Sequence, residues 1–189
     1  MKSTFALYLI LSSFSAFTQD FKTYKWDEVK RASPDTIFSI SFSKEKLIEL
    51  PDSLRFFKSL RKLDLSRNKL SRLPDFISQF NELTVLDLSK NNFTIFPLEI
   101  CRLSNLKVLH VERNQITQLP VCLRYCSALE EIDLWDNPIN HFPDAFLELK
   151  KLKIVDLQGV MYGPTFQKQF REKLPNVNVL FDPPCSCME

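Results

Sequence analysis

The sequence predicts an α/β solenoid: a short horseshoe with a parallel sheet on its concave side, turns or short helices on its convex side, and both ends capped. Three observations predict it. Apolar positions recur every 23 residues through most of the chain. Each copy holds one short stretch in which apolar and polar residues alternate, the period of a strand. With 189 residues, 44% of them hydrophobic and 25% charged, the composition is that of one globular domain with a core.

The chain opens as a leader. Lys2 supplies a positive start, Phe5 to Phe17 is an apolar run without charge, and Ala16-Phe17-Thr18 puts small residues where a signal peptidase reads. Spanning a bilayer takes about 20 apolar residues, so this run is short for an anchor. Residues 1–18 are therefore expected to be a signal peptide. The mature chain is expected to be exported, extracellular or periplasmic, with no membrane span. Residues 19–36 then form an N-terminal cap, in which Trp26, Val29 and Ala32 share one helical face and Pro34 stops the turn.

The repeats occupy residues 37–162. The pattern Leu60, Leu63, Leu65, Asn68, Leu70 returns 23 residues later as Leu83, Leu86, Leu88, Asn91, Phe93. It returns again as Leu106, Leu109, Val111, Asn114, Ile116, and as Leu129, Ile132, Leu134, Asn137, Ile139. Ile37, Ile40, Phe42, Glu45, Leu47 precede these, and Leu152, Val155, Leu157, Val160, Tyr162 follow, making six copies. A second signal, Leu50-Pro51, Leu73-Pro74, Phe96-Pro97, Leu119-Pro120 and Phe142-Pro143, repeats at the same interval. A repeat of this length is the mark of stacked supersecondary units.

This pattern resembles the leucine-rich-repeat family, in its 23-residue form with Leu-Pro in the return arm, over residues 37–162. The resemblance implies a horseshoe whose ligands lie on the open face of the sheet. The physics agrees on the shape. Leu63 and Leu65 point one way and Asp64 the other, so each strand is about three residues long. Parallel neighbours need a crossover of about a dozen residues, which the return arm supplies. One coil cannot bury its own leucines, so several must stack.

Asn68, Asn91, Asn114 and Asn137 follow each strand and are expected to form a structural ladder, since a buried amide can both donate and accept. Glu45 and Val160 replace them in the terminal copies. Residues 163–189 should close the far end: Phe166, Phe170 and Leu174 lie on one helical face ended by Pro175, and Val177, Val179 and Phe181 alternate like a closing strand. A cysteine-containing tail follows.

The outward columns carry the functional expectation. Between the core positions run Ser41, Asp64, Asp87, His110, Asp133 and Asp156; beyond them run Ser43, Ser66, Ser89, Glu112, Trp135 and Gln158; before them run Ser39, Lys62, Val85, Val108, Glu131 and Ile154. Lys44, Arg67, Lys90, Arg113 and Asp136 form a rim. An outward tryptophan beside apolar and charged neighbours is the kind of group that anchors an interface. The expected partner-binding residues are Trp135, His110, Asp133, Glu112, Asp87, Asp156, Val85 and Val108. The expected partner is a protein or peptide; adhesion or self-association through the same face or an edge is the alternative.

Other classes fit less well. A net charge of +2 is too small for phosphate-backbone binding, so no nucleic-acid partner is expected. Ser89, His110 and Asp133 could be arranged as a hydrolase triad on paper, but an open sheet and only two glycines offer neither pocket nor oxyanion hole. No cofactor or metal is expected, and Cys185-Ser-Cys187 lacks a second ligand pair at zinc spacing. The five cysteines leave one unpaired at least; Cys101 and Cys122 sit in adjacent return arms where a disulfide is conceivable, and Cys126 stands at a leucine position. Asn92-Phe93-Thr94 is a glycosylation sequon.

Overall fold

The computed structural model describes residues 22–160 and 162–183. The leader and the Cys185–Cys187 tail lie outside the described residues. Within them no helix is long and apolar enough to cross a membrane.

Alternation of inward leucine with outward polar residues gives six three-residue strands: β2 (Ser39–Ser41), β3 (Lys62–Asp64), β4 (Val85–Asp87), β5 (Val108–His110), β6 (Glu131–Asp133) and β7 (Ile154–Asp156). β1 (Tyr24–Lys25) and β8 (Asn178–Leu180) extend the sheet at either end, so eight strands stand in chain order, all parallel. The register steps by one repeat: Ile40, Leu63, Leu86, Leu109, Ile132 and Val155 are successive partners, each 0% exposed. The core is this apolar spine, joined by the inward residues of the return arms.

Each Leu-Pro or Phe-Pro pair feeds a 3-10 turn. These are Asp52–Phe56, Asp75–Gln79, Leu98–Arg102, Val121–Tyr125 and Asp144–Glu148, each with its proline in extended conformation just before it. Proline fixes φ and lacks an N–H, so it enters a helical turn at no hydrogen-bond cost. A helical turn takes more width than the ~4.8 Å between paired strands, so stacking the coils puts the sheet on the concave side.

The asparagine ladder is present in full. Asn91 Oδ1 accepts from the Leu70 N–H at 3.0 Å, and its Nδ2 donates to the carbonyls of Leu65 and Leu88 at 3.0 and 2.9 Å. Asn68, Asn114 and Asn137 repeat those contacts one coil apart. Each amide ties its own coil to the one before it at three backbone groups, which burial would otherwise leave short of partners. The residue before each asparagine turns the chain through positive φ: Arg67, Lys90, Arg113 and Asp136 at 54–57°, with Lys44 at 66° and Gly159 at 81° in the terminal copies. The rim read from the sequence is thus the set of left-handed corners of the horseshoe.

The return arms of two neighbouring coils are joined by a Cys101–Cys122 disulfide with Cα atoms 5.5 Å apart, within the normal span of such a bond. Cys126 is fully buried, donates weakly to the Ile100 carbonyl, and burial pushes its thiol up to about 12.

Both caps form, with differences from the sequence reading. Helix α1 covers only Trp26–Val29. Trp26 stacks on Phe42 at 5.2 Å and meets Phe57 edge-on, and Val29 is buried, but Ala32 is exposed and contributes nothing to that face. The helix gives way at Lys30, and Ser33, which precedes a proline, takes an extended conformation that bars its resumption. At the other end α2 (Pro164–Lys173) brings Phe166 and Phe170 against Phe142, Phe146, Tyr162 and Phe181, and β8 closes the sheet with Val179 and Phe181 buried.

Candidate functional site

On the concave face the ladder sets Asp64, Asp87, His110, Asp133 and Asp156 side by side, and Val85, Val108, Glu131 and Ile154 beside them. The aspartates do a local job first. Oδ1 of Asp64, Asp87, Asp133 and Asp156 accepts the N–H two residues on, from Ser66, Ser89, Trp135 and Gln158 respectively, at 2.9–3.0 Å. This ties down the strand end, as a short acceptor side chain does at a turn. Ser41 performs the same task in the first coil, accepting the Ser43 N–H. His110 breaks the series, and its copy also replaces the serine two residues on with Glu112.

The N-terminal part of the face is more covered than its polar sequence suggests. Ser39, Ser41, Ser66 and Ser89 are buried. Ser39 is within 2.8 Å of Thr23 Oγ1, and Ser41 donates to Asp64 Oδ2. Short side chains in a concave surface are roofed by their longer neighbours.

Around His110 the charges crowd. Its Nε2 lies 3.4 Å from Glu131 Oε1 but out of line for a hydrogen bond, with the two side chains 28% and 14% exposed. Burial pulls the imidazole down, yet Glu131, and then Asp87, Glu112 and Asp133, outweigh it and raise its pKa to about 9. Desolvation raises Glu112, countered in part by His110 and reinforced by Asp87. Burial also lifts Asp133 and Asp156 to about 6, against the hydrogen bonds they accept from Trp135 and Gln158. These carboxylates are short of positive charge and of water.

Trp135 is half-buried at the end of β6. Arg113 lies over it with Cζ 4.4 Å from the ring centroid, and the same guanidinium reaches Asp136 at 3.8 Å. One face of the indole is therefore taken by a cation. The structure brings His110, Asp87, Glu112 and Asp133 together, sets Trp135 next to Asp133, and leaves Val85, Val108 and Asp156 as flanks on the same face. Glu131 and Arg113, read from the sequence only as members of columns, turn out to be direct partners of His110 and Trp135. The triad arrangement does not assemble: Ser89 is 4% exposed, it lies against Glu112, and no hydrogen bond joins it to His110 among the described residues.

No curated protein matches the sequence. A family model described as a leucine-rich repeat region matches residues 44–180, from the corner after β2 to the last residue of β8. Such regions are typically protein-interaction modules and typically non-enzymatic. With the match covering most of the chain, and the 23-residue register and asparagine ladder behind it, the protein belongs to the leucine-rich-repeat family.

Proposed function

We propose that the chain is an exported binding module whose concave face holds a protein or peptide partner laid across the strands, with Trp135 and His110 central to the contact. The observation that carries this is the pairing of a half-exposed tryptophan with poorly solvated charges on one open face. Aromatic anchors and desolvated charges are what interfaces use. Export is supported by the leader pattern and by the Cys101–Cys122 bond, a linkage that persists in oxidising compartments. The test is to capture and identify a partner with the mature chain, then measure its affinity for Trp135→Ala. A loss of about 30-fold is expected; unchanged affinity removes Trp135 from the contact. A second reading is assembly between copies, because among the described residues no strand pairs with the outer edge of β8. A monomer in light scattering at working concentration removes it.

A further inference from the structure

We propose that Asp87, His110 and Glu112 form a binding site for one divalent transition-metal ion, of the class that accepts imidazole and carboxylate together, with zinc as its representative. This goes beyond the partner reading and stands or falls separately from it.

Three observations lead there. The first is placement. Asp87 closes β4, His110 closes β5 and Glu112 follows it, and one donor atom from each lies within 4.8 Å of the others. One nitrogen and two oxygens suit zinc and its neighbours rather than calcium or magnesium, which take oxygen alone. The second concerns the donors. Oε2 of Glu112 is shut off from solvent and has no hydrogen-bond partner, and Nε2 of His110, equally shut off, has only the Glu131 carboxylate at 3.4 Å, out of line for a hydrogen bond. Buried polar atoms are nearly always satisfied, and two that lack a hydrogen bond in one cluster mark a place that a ligand atom would complete. The third is the repeat itself. Asp64, Asp133 and Asp156 cap their own strands, whereas His110 in that column carries no such duty, and Glu112 stands in a column that holds serine in the first three coils. Both departures fall in one coil, beside Asp87, whose cap uses Oδ1 alone.

Zinc bonds of about 2.0–2.2 Å require the donors to close to roughly 3.3 Å. Side-chain torsions of Asp87, His110 and Glu112 would have to provide that movement, with the three-torsion Glu112 the most adaptable of them. Three protein ligands leave a coordination position facing the open side of the sheet.

The experiment is calorimetric titration of metal-stripped full-length protein, carrying Cys185→Ser and Cys187→Ser to remove the tail thiols, with zinc chloride. One ion per chain is expected, with a Kd at or below ~100 μM. His110→Ala and Glu112→Gln are each expected to weaken it at least about 10-fold. Asp87→Asn keeps the acceptor for the Ser89 N–H, so it tests the third ligand in a chain that still folds. His141→Ala, which removes the second of the two histidines, should change nothing. With only two imidazoles, proton NMR reads the site directly: zinc should move the His110 ring signals and leave those of His141 in place. Absence of binding in that range, equal binding by the three variants, or a shift at His141 alone overturns the proposal.

Discussion

Asn91 shows how much one side chain carries. It is 6% exposed and holds Leu70, Leu65 and Leu88 at once. Asn91→Ala leaves the Leu70 N–H buried without a partner, while the Leu65 and Leu88 carbonyls keep the amides of Asn68 and Asn114; the cost should be about 2 kcal/mol, and urea unfolding should show the midpoint fall accordingly. The titrating residues set a pH profile. His110 has its pKa raised to about 9, so its stabilising contribution is complete below 6.5 and is lost as pH rises through 9. Asp133 and Asp156 are raised to about 6, so theirs is complete below 3.8 and is lost as pH climbs through 6. Both trends have one sign: the folded chain binds more protons, and acidifying from pH 8 to pH 5 should raise Tm. Asp133→Asn keeps the acceptor for the Trp135 N–H and removes the desolvated charge. It should raise Tm at pH 7 by about 2 °C, with the gain gone by pH 3.5 in a calorimetric series.

The strands were legible because their alternation repeats six times, and a three-residue signal too weak alone becomes unambiguous in register. β1 was not legible: Tyr24-Lys25 lies outside the repeat and pairs with β2 only because the open sheet edge offers it partners. Ala32 lies off the helical face because helical spacing says nothing about where a helix stops, and this one ends at Val29, three residues before it. The face itself was readable as a list of columns, since strand alternation alone decides which residues point outward. Which charges pair across columns was not, because His110 meets Glu131 diagonally and that depends on rotamers rather than on register. The corners give an element-scale prediction. At Gly159, φ is 81° and a Cβ would stand 2.6 Å from the Asp136 backbone nitrogen. Gly159→Ala should therefore cost about 2 kcal/mol, read by denaturant unfolding, and should loosen the last coil before the others.

For the molecule as a whole, each coil touches only its neighbours, so stability is a sum of nearest-neighbour interfaces and depends on the ends being covered. The aromatic cluster at one end and Trp26 at the other provide that cover. The disulfide adds a different kind of constraint. It spans 21 residues, and closing a loop of that size in the unfolded chain is worth about 3 kcal/mol, a loss that denaturation with and without reductant should recover. The stretch between Cys101 and Cys122 contains β5, His110, Glu112, Arg113 and Asn114, which is nearly one whole coil. That coil is a covalent hoop. If the protein is pulled at its termini, the loops above and below can straighten to full extension, but this one transmits force across its own clasp and its residues are never paid out. The segment bearing the histidine should thus be missing from the contour length recovered in a stretching trace, and should reappear there once the clasp is reduced.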